Sequence, residues 1–343
     1  MKLGAFEVPG FYTGDARAMC GQLPGKSIQC AVFSPPYWGL RTYGGDQGVA
    51  WSDGWNGPWG GEATPEAYVA HTIEVLEAVR LVLRDDGLVF VNVGDSYYNN
   101  ASNHQPGVGH ATRWSVKAPR INRAIPHNVL KPKDLCLVPF HVAIAAQRAG
   151  WWVRSMIVWA KGASLGSWVG NPVPDTAPDR PGVAHEFVIM LAKSPRYYWN
   201  HSAVSEPAVV GDGRRTIRDV WTFCPEGYSG SHFATFPRVL PATCIRAATP
   251  PARCVKCGTP WIVVEDRAVA QCKCQAPGQL AVVLDPCCGS GTTCAVADGA
   301  GRLWLGFDVA GEYKALQDSR IGPLLPRGMV GWSHINGEVP WTP

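Results

Sequence analysis

Six short apolar runs, each bounded by glycine, proline or polar residues, constrain the fold of this chain more than any other feature. They lie at residues 30–33 (CAVF), 87–94, 154–160, 185–193, 280–286 and 302–309. All are rich in β-branched and aromatic residues and read as buried strands. Between them lie segments of helical spacing. Residues 64–83 open with Thr64 as a cap and Pro65 in the first turn, and residues 132–150 and 292–301 each close on glycine. Strands alternating with helices predict an α/β fold: a mostly parallel, Rossmann-like sheet covered by helices on both faces. No internal repeat is present.

Two of the strand ends carry chemistry. In VVLDPCCGSGTT, residues 282–293, a strand runs into a glycine turn and a helix start. Glycine lets the backbone approach a ligand closely, and free amides at a helix N-terminus favour an anionic or carboxylate group. Asp285 ends this strand, and Asp308 ends the next strand, where an acid accepts hydrogen bonds from ribose hydroxyls. The turn lacks the third glycine of a dinucleotide fingerprint and has no P-loop lysine, so a nucleoside without pyrophosphate fits it best. A lone turn of this kind is also compatible with an ordinary β-α connection.

The second strand end is FSPPYWG, residues 33–39. Pro35 and Pro36 lack N–H groups and fix the backbone with its carbonyls exposed, while Ser34 adds a hydroxyl and Tyr37 a flat ring. A rigid carbonyl and a hydroxyl together accept both hydrogens of a primary amine while the ring stacks on the heterocycle that carries it. Such a grip catalyses by positioning. The bland alternative is a proline-rich turn with a packed tyrosine.

Together FSPPYWGLRTYG and LDPCCGSGTT resemble the DNA amino-methyltransferases, which modify the exocyclic nitrogen of cytosine or adenine. The S-P-P-Y form is typical of the cytosine-N4 enzymes and D-P-P-Y of the adenine-N6 enzymes. The catalytic tetrapeptide precedes the cofactor turn, as in the family's β group. The resemblance extends over GLVFVNVGDSYY, the stretch ending in WAKG, HEFVIMLAKSPRYYWN, HFATFPRVLPATCI and GRLWLGFDVAGEY. It implies S-adenosylmethionine as cofactor, double-stranded DNA as substrate and a base flipped out of the duplex. Ser34 and the Pro35 carbonyl, with Pro36 beside them, would hold the amine, and Tyr37 would stack on the base. Asp285, Cys287, Gly289, Ser290, Gly291, Thr292 and Thr293 would line the methionine side of the cofactor and Asp308 its ribose. Asp15 would lie near the adenine, and Phe236 belongs to the segment that closes over the methionine end. Cys287 departs from the family's usual phenylalanine, and the stretch after WAKG is longer than usual.

Other features set expectations about partners. The net charge is only +4, too small to imply a polyanion by itself. Residues 99–133 nevertheless hold Arg113, Lys117, Arg120, Arg123 and two further lysines without an acid, a candidate phosphate-facing segment. Arg214, Arg215 and Arg218 are candidates for reading guanine or phosphate in residues 206–231. The twelve cysteines suggest reduced thiols rather than a disulfide framework. Cys254 and Cys257 in C-x2-C spacing, followed by Cys272 and Cys274, suggest a structural zinc ribbon, with unligated thiols as the alternative.

The chain reads as one methyltransferase domain. Its parts are a catalytic half (1–96), a basic insertion (97–133), a core continuation (134–205), a candidate target-recognition segment (206–231), a cofactor-closing segment (232–250), a possible zinc ribbon (251–276), a cofactor-binding half (277–325) and a tail (326–343). No secretion signal or membrane span is evident, so a bacterial or phage-encoded cytoplasmic enzyme is expected, with a restriction endonuclease of the same site as a possible companion. Adenine-N6 transfer, methylation of a protein glutamine (usually marked by N-P-P-Y) and a zinc-ribbon nucleic-acid binding module with an inactive core are the competing readings.

Overall fold

A computed structural model describes residues 1–39, 48–98, 127–165, 168, 170, 172, 175, 177–226, 236–264, 267–321 and 338–339. Among them, eight strands form one sheet: β1 (Gly10–Thr13), β2 (Ile28–Phe33), β3 (Leu83–Val93), β4 (Trp152–Ala160), β5 (His185–Ala192), β6 (Val220–Thr222), β7 (Val282–Asp285) and β8 (Leu303–Asp308). Their order is β6-β4-β5-β3-β2-β7-β8-β1. All pairings are parallel except those of β5, which runs opposite to β3 and β4. The expected mostly parallel α/β sheet is what forms.

All six residues of β2 are buried, and their alternation divides the core. Ala31 and Phe33 face one hydrophobic cluster, built on α1 (Ala16–Cys20), α2 (Pro65–Val82) and α3 (Val138–Arg148). Cys30 and Val32 face the other, with α4 (Val239–Ala248) and α5 (Thr292–Gly299). A strand buried on both faces has no polar side to show, which is why the run is continuously apolar. Helix α2 starts where its sequence says: Thr64 Oγ1 accepts from the Ala67 amide at 3.2 Å, and Pro65 occupies the first turn. The predicted helix over 132–150 begins only at Val138, because Pro139 sits in its first turn and Leu137 before it is left-handed.

One predicted strand divides. Residues 278–280 pair with Ala252–Cys254 in a separate small sheet, and only Val282–Asp285 enters the main one. The chain thus moves directly from the cysteine-bearing segment into the sheet centre. From β2 the chain proceeds through α2 to β3 on one side; from β7 it proceeds through α5 to β8 on the other. The reversal opens a crevice between β2 and β7 at the carboxyl edge, where open α/β sheets bind ligands. No helix among the described residues is long and apolar enough to cross a membrane.

Candidate active site

The glycine turn after β7 is built for close approach. Gly289 and Gly291 have φ of +48° and +78°, left-handed values that glycine adopts without penalty. The Gly289 amide donates to Asp308 Oδ2 at 2.7 Å and the Ala310 amide to Asp308 Oδ1 at 2.9 Å. These bonds aim the carboxylate at the end of β8 across the turn, although burial pushes its pKa up. Asp285 is 3% exposed and accepts from the Cys287 amide at 3.2 Å. Burial raises its pKa to about 7. Thr293 ties the start of α5 to β2 by donating to the Val32 carbonyl at 3.0 Å.

On the other side of the crevice β2 ends at Phe33, and Ser34 projects from the sheet edge. Its hydroxyl donates to the Asn92 carbonyl at 3.0 Å and lies 3.3 Å from the Tyr37 hydroxyl. The Tyr37 hydroxyl donates to Glu186 Oε2 at 2.6 Å. Asn92 Nδ2 donates to the same Tyr37 oxygen at 2.7 Å and to Glu186 Oε2 at 2.8 Å. Lys161 Nζ donates to Glu186 Oε1. Burial, then the neighbouring Glu186, pushes the Tyr37 phenol well up, so it stays protonated.

The two loops meet. The Cys287 thiol donates to the Ser34 carbonyl at 3.3 Å, and burial raises its pKa, keeping it a neutral thiol. Ser34, Pro36 and the glycine turn line one open cleft. Of the residues expected around the cofactor, Asp15, Phe236, Asp285, Cys287, Gly289, Ser290, Thr292 and Asp308 line this cleft. Gly291 and Thr293 stand behind it, the first against the Phe11 ring and the second bonded to β2. Pro35 and Tyr37 are outside its lining.

The far wall comes from residues outside the two motifs. Trp51, Trp59, Val49 and Tyr313 line the cleft as well. Asp15 caps α1 by accepting from the Arg17 amide at 2.9 Å and pairs with the Arg17 guanidinium at 2.7 Å. Arg17 also grips Glu74 of α2 at 2.6 Å and the Ala50 carbonyl at 2.7 Å, and lies 4.0 Å over Trp51. Trp51 stacks on the buried His71 at 4.1 Å. The glycine- and tryptophan-rich composition of residues 43–61 was the available signal. Asn92, Lys161 and Glu186 lie in stretches that resemble the family, but nothing local marks them as partners of Tyr37.

The four cysteines also converge: the Sγ atoms of Cys254, Cys257, Cys272 and Cys274 all lie within 4.8 Å of one another. They sit at the opposite edge of the sheet. Arg253, beside Cys254, reaches Gln29 Oε1 at the start of β2 (2.8 Å) and Asp86 Oδ2 near the start of β3 (2.5 Å). Arg113, Lys117, Arg120 and Arg123 lie outside the described residues. Arg214 is bonded to the neutral Ser205 hydroxyl at 2.6 Å, and Arg215 and Arg218 share the one carboxylate of Glu206, at 3.1 and 3.6 Å.

Residues 28–318 match the model of the N6/N4 methyltransferase family, described as DNA methylase. The chain is 33% identical over 311 residues to the Type II methyltransferase M.Cfr9I of Citrobacter freundii, covering 90% of this chain and 86% of that protein. It is 32% identical over 313 residues to the Type II methyltransferase M.SmaI of Serratia marcescens, covering 90% and 89%. Among solved structures, the PvuII DNA methyltransferase (cytosine-N4-specific) has a similar fold, with a TM-score of 0.57 at 18% identity, covering 93% of this chain and 88% of that one. With the family model spanning residues 28–318 and relatives more than 30% identical over most of their length, this chain is a member of the N6/N4 DNA methylase family.

Proposed function

We infer that this DNA methyltransferase transfers a methyl group from S-adenosylmethionine to the exocyclic N4 of a cytosine flipped out of duplex DNA. The observation that carries the reading is the Ser34 hydroxyl. Its single proton has two acceptors, the Asn92 carbonyl at 3.0 Å and Tyr37 Oη at 3.3 Å; either leaves its lone pairs as acceptors, in the cleft that the glycine turn also lines. A neutral serine in this tetrapeptide is the cytosine-type choice, and the structural neighbour from PvuII carries the same specificity in its name.

The cleft fits the cofactor. Asp308, aimed by two backbone amides, suits ribose hydroxyls, and Asp285 suits the methionine ammonium. Trp51 and Asp15 wall the adenine side. When bound, S-adenosylmethionine supplies an electrophilic methyl carbon. Ser34 and the Pro35 carbonyl take the two amine hydrogens, which turns the nitrogen lone pair toward the cofactor side, and the same oxygens stabilise the positive charge that develops on nitrogen. Flipping the base out costs a few kcal/mol, because the amine is otherwise unreachable in the stack. No cysteine nucleophile is needed, since the amine itself attacks.

The decisive experiment is base-resolved modification mapping of DNA from bacterial cells that express the protein. N4-methylcytosine in one sequence context is expected; N6-methyladenine would replace the reading with the adenine one. The enzyme would work in the bacterial cytoplasm, and loss of cleavage of the modified DNA by an endonuclease of the same site would identify the companion.

The cysteine cluster fits a structural zinc ion. Zn–S bonds of about 2.3 Å place tetrahedral thiolates about 3.8 Å apart, compatible with the observed grouping. Cys254, Cys257, Cys272 and Cys274 would hold it and brace the segment leading into β7. Its position at the edge away from the cleft argues for a structural role over reading of DNA. One zinc per chain in purified protein is expected, and metal-free protein of unchanged stability would remove the ion.

A further inference from the structure

The amine that attacks must also lose a proton, and the grip on it supplies no group that can keep one. Ser34 and a carbonyl oxygen are too weakly basic to hold it. The carboxylate reached through Ser34 and Tyr37 is Glu186, the second residue of the antiparallel strand β5. Its side chain is 15% exposed. The groups that face it are Lys161 from the end of β4, Tyr37 from the loop after β2 and Asn92 from β3. With the Ser34 hydroxyl turned from the Asn92 carbonyl to its second acceptor, Ser34, Tyr37 and Glu186 form a directed chain: Ser34 Oγ to Tyr37 Oη at 3.3 Å, then Tyr37 Oη to Glu186 Oε2 at 2.6 Å.

We propose that Glu186 is the terminal proton acceptor of methyl transfer, acting on the amine through Tyr37 and Ser34, with Lys161 paired to its other carboxylate oxygen. This rests on the amine-directed reading above. As the amine lone pair forms the N–C bond, the C–S bond breaks with its electrons on sulfur, and the nitrogen becomes cationic. It sheds a proton to Ser34 Oγ while the Ser34 proton passes to Tyr37 Oη and the Tyr37 proton to Glu186 Oε2. The sulfonium becomes a neutral thioether, the methylated amine is neutral, and the carboxylate ends as a carboxylic acid that returns its proton to water after product leaves. Asn92 completes the device: its Nδ2 occupies one lone pair of the Tyr37 oxygen, which leaves the other turned to Ser34.

Glu186 is thus a positioning and relay residue, and the assignment makes a sharp kinetic demand. Single-turnover methyl transfer is measured with full-length enzyme, saturating S-adenosylmethionine and duplex DNA carrying the mapped site. Glu186→Gln keeps an acceptor for Tyr37 but cannot take the proton; Tyr37→Phe keeps the ring but cuts the chain. Each is expected to lower the rate about 100-fold, the scale of general-base assistance, with cofactor affinity unchanged. The double variant should be no slower than either single one, because both interrupt one path. The wild type should show a solvent deuterium effect on this step that both variants lose. Multiplying effects in the double variant, or a wild-type rate in Tyr37→Phe, would overturn the relay, and Tyr37→Phe decides the matter alone if Glu186→Gln fails to fold. Failure of the underlying reading looks different: mapping would find no methylated amine, or Ser34→Ala would methylate normally. A methylating enzyme that needs Ser34 but is indifferent to Glu186 sinks only the relay.

Discussion

Gly94→Ala tests the placement of Tyr37 with a single methyl group. Gly94 follows β3, and a Cβ built there lies 2.6 Å from Tyr37 Cε2 and 2.9 Å from Cδ2. Carbon atoms settle at about 3.5–4.0 Å, so the ring must retreat by about 1 Å. It is not free to do so without loss. Its hydroxyl is held at 2.6 Å by Glu186 and at 2.7 Å by Asn92, and a shift of that size carries both bonds to the limit of hydrogen-bond length. Overpacking costs about 1–3 kcal/mol of stability, which a folded enzyme tolerates. A misplacement of about 1 Å in a catalytic array costs roughly 100-fold in rate. The expected phenotype is therefore a split: kcat for methyl transfer down by about two orders of magnitude, with the cofactor dissociation constant within about twofold of wild type, because Gly94 does not border the cofactor cleft. Tritiated methyl transfer into duplex DNA gives the first quantity and calorimetric titration the second. A normal kcat in a variant of normal fold would show that Tyr37 need not occupy this position, and the argument from its geometry would fail.

Other outcomes follow from the same geometry. Asp308→Ala should weaken S-adenosylmethionine binding about 10- to 100-fold, the value of one or two charge-assisted hydrogen bonds, while Ser34→Ala should leave binding intact and depress methyl transfer; calorimetry and single-turnover kinetics separate the two. Asp285, with its folded pKa raised to about 7, favours its neutral form in the folded protein. Its contribution to stability is fully present below the unfolded value of about 3.9 and is lost as pH rises through about 7. Thermal melts of the ligand-free enzyme should therefore fall over that window more steeply than those of Asp285→Asn, and parallel curves would contradict the raised pKa. Arg253→Met removes a charged hydrogen bond from Asp86, which keeps Arg84 at 3.4 Å, and leaves buried Gln29 Oε1 without this donor; it should cost about 1–3 kcal/mol in urea unfolding.

Much of this protein is legible along the chain because it is local. A strand buried on both faces must be apolar throughout, so β2, β3, β7 and β8 announce themselves. The glycines at 289 and 291, the acids that end β7 and β8, and the S-P-P-Y turn are contiguous signals whose chemistry depends on neighbours one to five residues away. The edge strands β1 and β6 escape notice, being four and three residues long and lacking periodicity. So does the break at residue 281, because one apolar run serves two sheets. The meeting of Asn92, Lys161 and Glu186 is hidden for a deeper reason. Each is an unremarkable polar residue near a strand end, and only strand order and register unite them: Asn92 opposes Val188 between β3 and β5, and Glu186 opposes Trp159 between β5 and β4. Those pairings are set by packing of the whole sheet, between residues far apart in the chain, and no short window contains them. The residue types and the turn that hold an amine were thus written in the sequence; which carboxylate stands behind that amine was decided by the fold.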